Sequence, residues 1–250
     1  MPKAHIPFVL ILALTTPVQG QEKPEKAPLE QGEWITLSGA DSELSAILTP
    51  QTTPTPHGVV ILVPDRGGHP DQPGVINPLR SRLPEFGWTT LALPPPPADQ
   101  PGGLLDIGIR RLQVAIDYVQ QQKLGTVVLA GHGLGATLAA AYLASQPQSP
   151  VAGLIAVGWY DPEGAEDRLR ATEAIAASPV PVYDIYGGRD LRRVEQGAAE
   201  RLLAARKANR NYRQKRIEGA DHDHTGLGPA LAQQVRGWLY ATLIKPRSSP

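Results

Sequence analysis

The stretch that most constrains this chain runs from Thr126 to Ser145. An apolar segment, Thr126-Val127-Val128-Leu129-Ala130, meets the alternating glycines of Gly131-His132-Gly133-Leu134-Gly135 and continues into an alanine-rich run from Leu134 to Ser145. A short continuous apolar run bounded by glycine reads as a buried strand, and the alanine-rich run reads as a helix. A strand that turns directly into a helix needs a sharp corner, and glycine takes up the backbone conformations such a corner demands without steric cost.

The segments on either side repeat the strand and helix signals. Val59 to Val63 is a second continuous apolar run, as expected of a strand covered on both faces. Val75, Leu79, Leu83 and Phe86 then recur at helical spacing, with Pro78 and Pro84 shortening or kinking that helix. Trp88 to Leu93 reads as a strand, and Leu104 to Gln121 as an amphipathic helix carrying Ile107, Leu112, Ile116 and Val119 on one face. Beyond the glycine corner, strands are predicted over Val151 to Val157, Val180 to Tyr186 and Tyr212 to Ile217. Helices are predicted over Pro162 to Ala177, Leu191 to Ala208 and Leu227 to Ile244. Ahead of all these, Trp34 to Ser38 and Leu44 to Leu48 flank Gly39-Ala40-Asp41-Ser42, the pattern of an antiparallel hairpin. The alternation predicts an α/β protein with a mainly parallel, doubly wound sheet, helices on both faces, and ligands at the carboxyl ends of the strands. The connection between Val157 and Val180 is too short for a large lid.

Composition narrows the function. The chain has 250 residues, 41% of them apolar, which suits one sizeable core, and a single domain is expected over residues 34–245. Lys plus Arg and Asp plus Glu number 24 each, so no charge excess argues for nucleic acid. Lys3 and His5 precede an apolar run from Ile6 to Leu14, and small residues at Val18 and Gly20 suit cleavage before Gln21. Residues 1–20 therefore read as a signal peptide for a periplasmic or secreted protein with no transmembrane span after cleavage. Residues 21–33, rich in Pro, Glu and Lys, read as a flexible linker. Cysteine is absent, so disulfides are excluded.

The corner Gly131-His132-Gly133-Leu134-Gly135 resembles the nucleophile elbow of the α/β-hydrolase superfamily, Gly-x-Ser-x-Gly, with Gly133 where the family keeps its serine. Strand order supports the resemblance from about Trp34 to Ile244, and the chain also looks like an uncharacterised exported family of Gram-negative bacteria. The resemblance implies several roles. Tyr183 to Asp190 matches the family's strand ending in Gly-x-x-Asp, so Asp190 takes the acid position, although it also fits a cap on the following helix. Glu218-Gly219-Ala220-Asp221-His222 matches the histidine loop and makes His222 the base. Leu134 and, from Val63-Pro64-Asp65-Arg66-Gly67-Gly68, Arg66 are the expected backbone donors of an oxyanion hole. His132 and Arg66 are expected near a carboxylate or phosphate ligand.

Gly133 removes the attacking hydroxyl while suiting a turn that costs a residue with a Cβ about 1 to 3 kcal/mol. The expected protein is a non-catalytic member of the fold that binds a small molecule or an envelope protein. The alternative is residual ester or acyl hydrolysis, with His222 and Asp190 acting on water. Asp65, Asp184 and Thr137 are conceivable substitutes for the serine, but none lies in the elbow. Gly133→Ser is expected to raise esterase activity.

Two further readings compete for the same residues. Gly131-x-Gly133-x-x-Ala136 fits a loose dinucleotide fingerprint, although such a unit normally opens its domain. Asp221-His222-Asp223-His224, with Asp65 or His69, offers metal-ligand types in a polar loop. Neither a cofactor nor a metal is expected.

Overall fold

The computed structural model describes residues 27–39, 43–95, 103–163, 170–208 and 211–245. Its framework follows from the apolar runs. In β3 (Gly58–Val63), Val59, Ile61 and Val63 join one hydrophobic cluster while Val60 and Leu62 join another. In β5 (Thr126–His132), Val127 and Leu129 go one way and Val128 and Ala130 the other. Alternate residues of one strand thus feed two cores, which requires helices on both faces.

The sheet has eight strands, in the order β1-β2-β4-β3-β5-β6-β7-β8. The hairpin β1 (Glu33–Ser38) and β2 (Glu43–Thr49) is antiparallel, and β2 meets β4 (Trp88–Ala92) antiparallel. All other pairings, through β6 (Val151–Val157), β7 (Val182–Arg189) and β8 (Tyr212–Asp221), are parallel. One face is covered by α2 (Leu104–Gln121), α3 (Leu134–Ser145) and α4 (Ala171–Ala177), with Ala205 of α5 (Arg192–Ala208) joining the same cluster. The other is covered by α1 (Ile76–Arg82) and α6 (Gly228–Leu239), whose Leu79, Leu231, Val235 and Trp238 pack on it. The expected α/β architecture is the one observed. No helix among the described residues is long and apolar enough to cross a membrane.

Several boundaries differ from the sequence expectation. Asp161 and Pro162 are not helical; α4 starts at Ala171, whose N–H donates to Asp161 Oδ1 at 2.8 Å, and residues 164–169 lie outside the described residues. Strand β8 runs on to Asp221: its regular pairing with β7 ends at Ile217, opposite Gly187, and resumes at Asp221, opposite Arg189, across an irregularity that contains Glu218-Gly219-Ala220. The closing helix stops at Leu239 and passes into a π turn over Tyr240–Ile244, in which the N–H of Lys245 donates to Tyr240 O at 2.8 Å. The expected signal peptide lies outside the described residues. The expected linker is tied down from Ala27, whose carbonyl accepts from Trp34 Nε1–H at 3.0 Å, while Gln31 O accepts from the buried Arg80 at 2.6 Å.

One buried ion pair links this framework to the strand ends. Arg201 of α5 donates through Nε to Asp184 of β7 at 2.7 Å and through a terminal nitrogen to Trp159 O at 2.9 Å, just beyond β6. Arg201 is 2% exposed and Asp184 0%. Removing one partner of such a pair leaves an uncompensated buried charge. Arg201→Met is expected to lower unfolding free energy by about 3 to 5 kcal/mol in urea titration, and Arg201→Met with Asp184→Leu to recover part of the loss.

Candidate active site

The glycine corner sits at the carboxyl end of β5, and its geometry follows from position 133. Gly133 has φ +52° and ψ −116°, a positive-φ conformation that residues with a Cβ rarely adopt. Its N–H donates to Val157 O at 2.8 Å, fixing the corner against the end of β6. The space that a side chain at 133 would enter is already taken. A Cβ built there would lie 2.3 Å from both Cγ and Oδ1 of Asp65.

Asp65 lies just beyond β3 and reaches across to the corner. Its Oδ1 accepts the N–H of Leu134, the first residue of α3, at 2.7 Å and the phenol O–H of Tyr160 at 2.8 Å. Its Oδ2 faces Nε2 of His222 at 3.1 Å. On the far side of that ring, Nδ1 lies 2.7 Å from Asp190 Oδ1. The order is therefore carboxylate, imidazole, carboxylate, with the first carboxylate where a serine-type elbow carries its hydroxyl. Of the three conceivable substitutes for serine, Asp65 alone makes this contact. Asp184 is tied to Arg201, and Thr137 donates its hydroxyl to Tyr160 O at 2.6 Å.

The other expected site residues fall into place around this row. Asp190 follows β7 directly and accepts the N–H of Gly187 on Oδ2 at 2.9 Å and that of Leu191 on Oδ1 at 2.8 Å. It thus orients His222 from just ahead of α5, its bonds going to the turn rather than to N–H groups further into the helix. His222 follows β8, and Gly158 at the end of β6 makes room for its ring. A Cβ at 158 would lie 2.8 Å from Cε1 and Nδ1 of His222. Of the two expected oxyanion donors, the N–H of Leu134 bonds the Asp65 carboxylate at 2.7 Å, and that of Arg66 acts electrostatically on the same carboxylate. His132 is placed differently from expectation. It is 1% exposed, and its Nε2 meets His222 O at 3.0 Å, so it props the histidine loop from beneath instead of facing a ligand. The side chain of Arg66 is exposed.

The charges follow from these contacts. Burial penalises a charged His222, but its bonds to Asp190 and Asp65 outweigh that penalty and push the ring up to about 9. Burial alone would raise Asp65; the bonds from His222 and Leu134, with the N–H of Arg66, instead hold it well below the usual carboxylate range. Asp190 is likewise lowered, its bond to His222 and that from Gly187 overcoming burial. Burial, then the charge of Asp65 and the bond to it, push the Tyr160 phenol up to about 12. At neutral pH the row is an imidazolium between two carboxylates.

His224, two residues beyond, is fully buried, with neither ring nitrogen partnered, and burial lowers it to about 4. Among the described residues no group of three His, Cys, Asp or Glu side chains converges on a point that could hold a metal. The dinucleotide reading also fails on geometry. At the start of α3, where a pyrophosphate would lie, the Leu134 N–H is already bonded to an anion of the protein itself.

Sequence reasoning missed Tyr160 and Gly158. Both follow directly on β6, so the signal available was their place at the end of a parallel strand, where this fold gathers its site.

The fold and the site together define an α/β-hydrolase-fold protein whose elbow position is served by a carboxylate from the neighbouring strand loop. The chain belongs to the DUF3530 family, described as proteins of unknown function, which it matches over residues 13–106 and 104–241. No curated protein sequence matches it. Among solved structures it is similar to Est1E from Butyrivibrio proteoclasticus, at 17% identity and a TM-score of 0.69, covering 86% of this chain and 100% of that one. It is also similar to a dienelactone hydrolase from Anabaena variabilis, at 19% identity and a TM-score of 0.65, covering 85% and 98%. An α/β serine hydrolase without a lid from Xanthomonas campestris matches at 17% identity and a TM-score of 0.67, covering 88% and 100%.

Two measurements check the electrostatics and the packing. His222 is raised from 6.5 to about 9, so the stability it contributes is complete below its unfolded value and is lost as pH rises through the folded one. Urea unfolding between pH 6.5 and 9 is expected to show that decline in the wild type and a flatter profile in His222→Gln, with the ring titrating near 9 by NMR. Gly133→Ala is expected to cost about 1 to 3 kcal/mol in backbone strain, plus the displacement of Asp65. Asp65→Gly in the same chain should return the second part.

Proposed function

We propose that this protein is an exported α/β-hydrolase-fold protein that has lost serine-type acyl transfer and uses the cleft at its elbow to bind a small molecule or an envelope protein. Export rests on the N-terminal run from Ile6 to Leu14 and the small residues that follow it. Loss of acyl transfer rests on one observation: the Asp65 carboxylate occupies the space beside Gly133 and accepts the Leu134 N–H that an oxyanion would need.

That occupancy opposes ester turnover in three ways. Residue 133 carries no hydroxyl to attack. A carboxylate that attacks an ester carbonyl gives an anhydride, which is less stable than the ester it came from. A developing oxyanion would compete with an anion already in the hole, where like charges a few ångströms apart repel strongly. The water route is opposed as well, since His222 is protonated at neutral pH and cannot accept a proton.

For binding, the chemistry at the mouth favours an anion. Tyr160 lies beneath the guanidinium of Arg193, 3.7 Å from the ring centroid, and Arg66 acts on the same phenol. Est1E has been solved with ferulic acid bound, so an aromatic carboxylate is the first ligand to try.

Short p-nitrophenyl esters are expected to show no turnover at neutral pH. The expectation that Gly133→Ser alone restores activity is revised, because its side chain meets Asp65; the single variant stays inert, and Gly133→Ser with Asp65→Gly gains esterase activity. Robust wild-type turnover lost in His222→Ala would overturn the proposal and favour the water route. Ferulate is expected to raise the melting temperature, and Arg193→Ala to reduce that shift.

A further inference from the structure

Helix α5 buries Val194, Ala198, Arg201 and Ala205, and its opposite side carries a different stripe. Glu200, Leu203 and Lys207 recur there at spacings of three and four, so they lie on one line along the helix. Leu203 is 53% exposed, more than any other large aliphatic side chain among the described residues. Beside the stripe runs a groove of about 500 Å³ between α5 and α4. Ala176 of α4 and Leu203, Ala204 and Ala208 of α5 give it apolar surface, and Glu173, Glu200 and Lys207 give it charge. We infer that this face binds a second copy of the chain, α5 against α5 in antiparallel register, to form a twofold-symmetric dimer. The inference is independent of what the cleft at the elbow binds.

The order of residues along the stripe identifies the occupant. The point midway between Glu200 and Lys207 falls between Leu203 and Ala204. With a twofold axis at that point, antiparallel helices set Glu200 of one copy opposite Lys207 of the other, the reverse pair follows by symmetry, and Leu203 meets its own counterpart. A parallel arrangement would instead set Glu200 on Glu200 and Lys207 on Lys207, so the charges select the antiparallel one. Within one chain the two residues are about 10 Å apart along the helix axis, too far to pair with each other. The short side chain of Ala204 next to Leu203 lets the second helix approach closely.

The open edge of the sheet offers another route to self-association, and it is guarded. Strand β8 lies at that edge, with Arg213 and Lys215 exposed along it. Two copies meeting edge to edge would crowd cations together. The α5 stripe carries both signs of charge around an apolar centre and has no such obstacle.

A contact of this size makes a weak dimer, so the full-length protein is followed by sedimentation velocity from about 1 to 200 µM, where wild type is expected to pass from monomer to dimer. Leu203→Glu is expected to stay monomeric throughout. Glu200→Lys and Lys207→Glu are each expected to raise the dissociation constant about tenfold, because each sets like charges across the axis twice. Mixing equal amounts of these two variants is expected to restore association, as is combining both changes in one chain, and a recovery of that kind cannot arise from a damaged fold. Since the chain has no cysteine, Leu203→Cys gives a second readout. Oxidation is expected to join two chains through position 203, whereas Arg82→Cys, at an exposed position of α1 on the other face of the sheet, leaves them separate. A wild type that stays monomeric at the highest concentration overturns the inference and leaves the groove to a different protein or to none. A dimer that none of these variants weakens overturns it as well, by placing the contact on another surface.

Discussion

Everything at this site depends on one imidazolium held between two carboxylates. His222 comes from the end of β8, Asp190 from the end of β7 and Asp65 from the end of β3, so the row ties together strand ends that lie far apart in sequence. The row carries one net negative charge, and the fold meets that charge with the N–H of Leu134 and the phenol of Tyr160. The Leu134 N–H belongs to the first turn of α3, where unpaired donors and the helix dipole favour an anion. Two absent side chains make the arrangement possible: at Gly133 a Cβ would strike Asp65, and at Gly158 it would strike His222.

The identity of the anion decides the chemistry. A serine hydroxyl in this position is neutral until it attacks, and the hole beside it stays open for the charge that forms on the substrate. A carboxylate is charged at rest and takes the hole for itself, so the same donors that would stabilise a substrate oxyanion stabilise the protein's own ground state. Stabilisation present before the reaction does not accelerate it. The high affinity of His222 for its proton has the same origin, since each carboxylate favours the charged ring.

Much of this was legible in the sequence. The continuous runs in β3 and β5 announced strands buried on both faces, and α2 and α3 begin and end where their patterns predict. Asp190 and His222 were found from their places after successive strands, and the contact between them is observed. Where the reading stopped short, the cause was a property that local pattern does not carry. The extension of β8 to Asp221 depends on pairing that resumes with Arg189 of the partner strand beyond an irregularity, a long-range contact. The cap and acid readings of Asp190 were set against each other, whereas one carboxylate with two oxygens serves both the turn before α5 and the histidine. His132 looked like a ligand contact because it sits inside the motif, but β5 buries it under the His222 carbonyl.

The sequence by itself determined the layered α/β architecture and the sharp corner with glycine at its centre, position 133, because apolar period, glycine placement and residue identity are properties of short segments. Only the tertiary structure decided what stands beside Gly133. The bond from Leu134 to Asp65 spans 69 positions in the chain. It exists because parallel pairing sets β3 beside β5 and brings the loop after one strand over the corner after the other. Whether a carboxylate in that loop points to solvent or into the elbow depends on the donors and the free volume it meets there, and those are supplied by α3, β6 and β8 together.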